Sequence, residues 1–196
     1  PLKVLGISWY LKNKKRMRDA ERGKMCPYAI NLENISYAYE GGTVLKNLSL
    51  KVRAGEHVGI LGNSGCGKST LLKIVAGLYK PDSGTITVAG ERWPGKVRGK
   101  VALVMQQGCL FPLSIRDNIS CGHEIPEEKL WASCESASLT PWIAGLPKGL
   151  DTYVGERGNQ VSGGQAQRIQ IARAICKDAP VILLDDLMHK GTADEK

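Results

Sequence analysis

Apolar residues first recur at strand-like spacing between residues 30 and 52. Leu32, Ile35, Tyr37 and Tyr39 precede the turn Glu40-Gly41-Gly42, and Val44, Leu45, Leu48, Leu50 and Val52 follow it. This pattern predicts a small antiparallel β region. Ala54-Gly55-Glu56 then turns the chain into residues 57–61, a short, mostly apolar run expected to form a buried strand. Leu71, Leu72, Ile74, Val75 and Leu78 switch to helical spacing. Pro81-Asp82-Ser83-Gly84 is a strong turn, followed by a strand over 85–89 that Gly90 closes. Residues 101–105 (Val-Ala-Leu-Val-Met) are continuously apolar, as a buried central strand requires. From 113 to 160 strand character disappears, and short helices are predicted at 117–119, 126–138 and 141–146. A longer helix is predicted over 164–176, with Ile169, Ala172 and Ile175/Cys176 on one face. Residues 181–184 form a second buried strand that runs into Asp185-Asp186.

Between the strand at 57–61 and the helix lies Gly62-Asn63-Ser64-Gly65-Cys66-Gly67-Lys68-Ser69-Thr70. It fits the phosphate-binding pattern G-x-x-x-x-G-K-[ST] in the context that pattern needs, strand before and helix after. Glycines allow backbone N–H groups to turn inward around phosphate oxygens, and the helix N-terminus adds partial positive charge there. Lys68 would neutralise the β- and γ-phosphates, and the Ser69 hydroxyl would hold Mg²⁺. An ordinary glycine turn before a helix is the bland alternative, and the four fixed positions argue against it. The expected ligand is a nucleoside triphosphate.

Composition adds limits. At 196 residues the chain is one domain by length, with room for a subdomain. Of the net charge of +8, +6 lies in residues 1–30, where eight Lys/Arg face two Asp/Glu. The remainder carries only +2, so nucleic acid binding is not indicated. Six cysteines at wide spacing, with no C-x-x-C pair, suggest neither a zinc site nor a disulfide framework. With Cys66 inside the phosphate loop, a reducing cytosol fits best. No apolar run is long enough to span a membrane. In residues 3–24 an apolar, aromatic start gives way to seven Lys/Arg from Lys12 to Lys24, as at the cytoplasmic end of a membrane helix. A solvated linker helix with one charged face is the plainer reading. Pro27 marks a domain boundary, giving a basic tail at 1–28 and a globular domain at 29–196.

One further motif points to a family. Gln160-Val161-Ser162-Gly163-Gly164-Gln165 opens the helix at 164–176, and the chain resembles the nucleotide-binding domain of ABC transporters, whose signature reads L-S-G-G-Q. In physical terms Ser162 can cap a helix while two glycines let backbone amides approach an anion. In the family that anion is the γ-phosphate on the opposite subunit, received by Ser162, Gly163, Gly164 and Gln165. Other positions match in order. Tyr39 stands where the family stacks a ring on adenine, although a strand tyrosine also serves as plain core packing. Gln106 matches the glutamine that senses Mg²⁺ and the attacking water, and Asp185 the Walker B aspartate. Residues 110–119 and 153–158 look like segments of exporter-type domains, where the surface between Gln106 and the signature receives the membrane domain. The resemblance covers 30 to about 186.

It implies an α/β fold of the P-loop NTPase, ABC type: a sheet-centred core, an antiparallel β subdomain and a helical insert at about 113–163. It further implies ATP and Mg²⁺ as cofactors, with Ser69, Gln106 and Asp185 as the metal group. Implied partners are a second ABC domain, head to tail, and an exporter's transmembrane domain, at the cytoplasmic face of a membrane. The basic tail would face an anionic membrane surface. Three departures stand out. The water-polarising glutamate is replaced by Asp186; the expected S-A-L-D reads His189-Lys190-Gly191-Thr192, or reaches Asp194 with two extra residues; and Lys196 precedes the switch histidine, so a C-terminal part of the domain is expected to be missing. A soluble ABC ATPase of translation or DNA repair and a non-hydrolysing remnant are the alternatives.

Overall fold

The structure is a computed structural model that describes residues 3–4, 28–106 and 108–185. The basic tail, Asp186 and the irregular segment after it lie outside the described residues, apart from the two-residue strand β1 (Lys3–Val4). The chain divides into two compact units. One takes residues up to Leu103 together with Ala179–Leu183, and the other takes Val104–Asp178 and continues from Leu184.

In the first unit β2 (Tyr28–Tyr39) and β3 (Gly42–Arg53) form the expected antiparallel hairpin. β4 (Ile60–Leu61) and the helix α1 (Lys68–Val75) follow, then β5 (Ser83–Val88) and β6 (Glu91–Arg92). The four-stranded sheet has the order β3-β2-β5-β6. Its register explains its buried face. Ile30 pairs with Val52 and Val88, and Leu32 pairs with Leu50 and Ile86, so the period-2 pattern places apolar side chains together on one side. That side and the α1 residues Leu71, Leu72, Ile74 and Val75 belong to one apolar core. A shift of register between Leu32 and Ile35 keeps Ile35 buried despite its odd offset from Leu32. After the short helix α2 (Val97–Lys100), β7 (Val101–Val104) pairs with β8 (Val181–Leu184) in a separate two-stranded sheet.

Several expected boundaries move. The strand at 57–61 shrinks to β4, paired antiparallel with β1, and Leu61 is 54% exposed rather than buried. Among the described residues β1 is the one strand paired with it, so Leu61 lacks the covering strand that a mostly apolar run suggested. α1 ends at Val75, leaving Leu78 exposed, because Gly77 at φ +73 leaves the helical region. β7 stops one residue early, and Met105 is exposed.

The second unit is helical: α3 (Ile115–Ser120), α4 (Glu127–Ser136), α5 (Thr140–Ala144) and α6 (Gly163–Cys176). Ile115, Ile119, Leu130, Leu139, Ile143 and Ile169 are almost wholly buried in its core. Each such side chain contributes roughly 1.5–3 kcal/mol by leaving water. Ser114 caps α3, accepting the Asp117 N–H at 3.0 Å while its hydroxyl donates to the Asp117 carboxylate at 2.6 Å. In α4 and α6 the thiols of Cys134 and Cys176 lie in the same core, where burial pushes Cys134 up to about 11 and Cys176 in the same direction. Both therefore stay protonated and inert at neutral pH.

At the centre of this unit Asn118, fully buried, joins three segments. Its side-chain oxygen accepts from the Phe111 N–H (2.9 Å) and from Arg173 Nη2 (2.8 Å), and its side-chain nitrogen donates to the carbonyls of Phe111 (3.0 Å) and Ser114 (2.9 Å). Arg173 Nε also donates to the Asn118 carbonyl at 2.7 Å. Burial pulls the Arg173 pKa down, opposed by the nearby thiols of Cys121 and Cys109. Asn118→Leu leaves these groups buried without partners, and we expect a loss of about 3 kcal/mol or more in chemical denaturation. A loss below about 1 kcal/mol would show that the network adds no net stability.

Candidate functional site

The phosphate loop is built by two glycines in the left-handed region, Gly65 at φ +79 and Gly67 at φ +98. Gly67 is the N-cap of α1, and its carbonyl accepts the Leu71 N–H at 2.9 Å. The Cys66 N–H donates to the Asn63 carbonyl at 3.3 Å, closing the turn before it. Gly62, Asn63, Ser64, Gly65 and Ser69 face solvent, whereas Gly67 and Thr70 are buried. Gly67 sits against the β2–β3 hairpin: a Cβ there would lie 2.9 Å from Val44 Cγ1 and 3.0 Å from Leu45 Cδ2.

The charge at this turn is Lys68. Its ammonium donates to the loop's own carbonyls, Gly62 at 2.7 Å and Asn63 at 2.9 Å, and lies 3.8 Å from Cys66 Sγ. The loop thus holds its cation inside its own curve. No acidic residue occupies the first turn of α1, and no side chain caps it. Its first backbone donors, the dipole and Lys68 all favour an anion at one point. The donor set fits a polyphosphate, and the exposed Ser69 hydroxyl supplies the oxygen that a hard divalent cation prefers.

Tyr39 is not core packing. It is 44% exposed, and its hydroxyl lies 3.2 Å from Thr70 Oγ1 in the helix that follows the loop.

In the second unit Ser162 and Gln165 form a complete capping box at the start of α6. The Gln165 N–H donates to Ser162 Oγ at 3.2 Å, and the Ser162 N–H donates to Gln165 Oε1 at 2.8 Å. Ser162 and Gly163 are exposed, and a Cβ at Gly164 would meet nothing within 4 Å. The fold itself does not demand glycine at 164. Asp185 follows β8, its N–H donating to the Val104 carbonyl at 2.9 Å, and Gln106 lies exposed just after β7.

Sequence reasoning passed over Gln170 and Arg173. Gln170, buried on α6, donates from Nε2 to the Gly108 carbonyl at 2.8 Å, and Arg173 Nη1 reaches the Cys109 carbonyl at 3.4 Å. Two residues of the signature helix therefore anchor the segment that follows Gln106. The available signal was a glutamine beside Ile169 on the apolar face, which a buried partner alone makes tolerable. Among the described residues no group of three His, Cys, Asp or Glu side chains is placed to hold a metal, and no helix is long and apolar enough to cross a membrane.

A left-handed glycine loop that wraps a lysine at a helix N-terminus, in a unit with an antiparallel β sheet, in a chain whose other unit is helical and opens α6 with a capped Ser-Gly-Gly-Gln, defines a P-loop NTPase of ABC type. The family model described as ABC transporter matches residues 45–189, and the chain belongs to that family. It is 38% identical to the ATP-dependent lipid A-core flippase of Syntrophus aciditrophicus, over 80% of this chain and 27% of that protein. It is also 38% identical to the iron-sulfur clusters transporter ATM1, mitochondrial, of Saccharomyces cerevisiae, over 89% of this chain and 27% of that protein. A solved structure of a bacterial Atm1-family ABC exporter with ATP bound superposes with a TM-score of 0.76 at 30% identity, covering 86% of this chain and 31% of that one. The chain thus spans roughly a quarter to a third of the length of these relatives.

The two loop glycines separate backbone strain from packing. Gly65→Ala meets no neighbour and should cost about 1–2 kcal/mol for the left-handed backbone alone. Gly67→Ala adds overlap with Val44 and Leu45, and we expect about 1–3 kcal/mol more in denaturant unfolding. Equal losses would mean that the hairpin yields freely.

Proposed function

We propose that this chain is the ATP-binding cassette of an ABC exporter: it binds Mg-ATP and couples its hydrolysis to transport at the cytoplasmic face of a membrane. The observation that carries the reading is the phosphate loop, with left-handed Gly67 opening α1 and the Lys68 ammonium already inside the loop's curve. A triphosphate offers that ammonium full negative charge in place of two neutral carbonyls, and charge-assisted bonds are roughly twice as strong as neutral ones. Ser69 takes the role of Mg²⁺ ligand, and Asp185 and Gln106 take the family's metal- and water-sensing roles. The Tyr39 ring supplies a stacking face for adenine, supported by its exposure at the end of β2. Ser162, Gly163, Gly164 and Gln165 are assigned to nucleotide held by a second ABC domain, head to tail. Support comes from the exposed, capped start of α6 and from the open space at Gly164. The exporter's membrane domain is the other partner, and the basic residues 1–28 are assigned to an anionic membrane surface, with residues 29–196 as the ATP-binding domain.

Lys68→Ala tests the central claim. Hydrogen bonds to charged groups contribute about 1.5–3 kcal/mol, so titration calorimetry should show MgATP affinity reduced by roughly tenfold or more. Unchanged affinity in a folded variant would sink the assignment.

Asp186 is assigned the task of polarising the attacking water, one methylene short of the family's glutamate. A shift of about 1 Å in a reacting atom can cost roughly a hundredfold in rate. Asp186→Glu is therefore expected to raise ATP turnover, up to about that factor. A rate unchanged or lowered in the glutamate variant would take Asp186 out of the water's path.

A further inference from the structure

Tyr39 does not stand alone. Tyr37 and Tyr79 lie within 9° of parallel with ring centroids 5.7 Å apart, and Tyr39 stands edge-on to both, at 5.1 Å and 89° from Tyr37 and at 6.1 Å and 88° from Tyr79. Offset-stacked and edge-to-face pairs at these separations are mutually attractive. Two contacts tie the cluster to α1: the Tyr39 hydroxyl to Thr70 Oγ1 at 3.2 Å, and the Lys73 ammonium 5.5 Å from the centre of the Tyr79 ring. The backbone is clamped as well. The Asp82 carboxylate accepts the N–H of Ala38, between the two β2 tyrosines, at 2.8 Å, and the Asp82 N–H donates to the Ser36 carbonyl at 2.9 Å. The turn that begins just after Tyr79 therefore holds the end of β2 from outside.

An exposed tyrosine next to a double-glycine turn would ordinarily sample several rotamers. Here two rings, one hydroxyl bond and a backbone clamp select one. We propose that Tyr79 and Tyr37 are positioning residues for nucleobase recognition: they hold the Tyr39 ring ready for a purine and fix it relative to the helix that carries Lys68. The proposal rests on the reading of Tyr39 as the base-stacking ring. Neither Tyr37 nor Tyr79 needs to touch the nucleotide. Tyr79 contributes through the fraction of molecules whose Tyr39 is in the competent rotamer, and apparent affinity scales with that fraction. Release from one staggered well to roughly three lowers it about threefold.

The experiment compares MgATP with magnesium tripolyphosphate, which has the phosphates and no base, by titration calorimetry on the full chain and its variants. Tyr39→Ala should weaken MgATP and leave tripolyphosphate unchanged. Tyr79→Leu should weaken MgATP by about threefold, leave tripolyphosphate unchanged, and be rescued by Tyr79→Phe, which keeps the ring. If Tyr79→Leu does not fold, Tyr37→Leu carries the same expectation. Full MgATP affinity in Tyr39→Ala would remove the stacking role and this proposal with it. Weakened MgATP in Tyr39→Ala with full affinity in Tyr79→Leu would overturn the positioning role alone. Equal weakening of both ligands in Tyr79→Leu would also overturn it, because the effect would then lie in the phosphate loop.

Discussion

The structure of the first unit turns on the close approach of a hairpin to a glycine. Val44 and Leu45 of β3 leave no room for a Cβ at residue 67, and the φ of +98 there excludes most side chains in any case. That one residue ends the loop, starts α1 and aims the helix axis back at the turn. The sheet is thus more than a neighbour of the phosphate loop, because its packing fixes the point at which backbone donors converge. The apolar core shared by Ile30, Leu32, Val52, Ile86 and α1 makes the arrangement stiff enough to matter.

The helical unit depends on a different kind of constraint. Asn118 and Arg173 are polar groups in a buried setting, and their bonds run to Phe111, Ser114 and the backbone of Cys109. Cys109 and Phe111 lie outside any helix or strand and Ser114 caps α3, so their backbone groups lack the full set of partners that a helix interior provides. Side chains from α3 and α6 do so instead. Gln170 extends the pattern to Gly108. One face of the signature helix is therefore devoted to holding loops, which accounts for its weakly segregated apolar stripe.

This division explains what could be read from the sequence. The hairpin, α1, the bend at Pro81-Asp82 (with β5 starting at Ser83, two residues before the expected strand) and the capped helix at 163 were legible because each rests on local rules: strand alternation, glycine geometry, helix periodicity and a serine cap three residues ahead of glutamine. The β4 strand was misjudged because a mostly apolar run signals burial, while the number of neighbouring strands is a property of the whole sheet. Helix ends at Val75 and Ser120 were set by left-handed residues, Gly77 and Cys121, and the latter carries no sequence cue. Asn118, Gln170 and Arg173 were invisible for a related reason. A polar residue in a helix looks the same in sequence whether it faces water or satisfies a distant carbonyl. The exposure of Tyr39 at the end of β2 was equally hidden, because strand alternation fits a buried tyrosine as well as an exposed one.

The lysine that rests on the carbonyls of Gly62 and Asn63 makes the loop a charge filter as well as a cradle. A newcomer gains only the difference between what it offers the ammonium and what the loop already provides. A neutral nucleoside, however well its base is received, offers nothing that two carbonyl dipoles do not, and leaves the cation where it is. A multiply charged phosphate chain draws it outward, because full charges outweigh dipoles at the same separation. Discrimination against bare nucleosides then follows from the resting state of the loop, with no steric gate required.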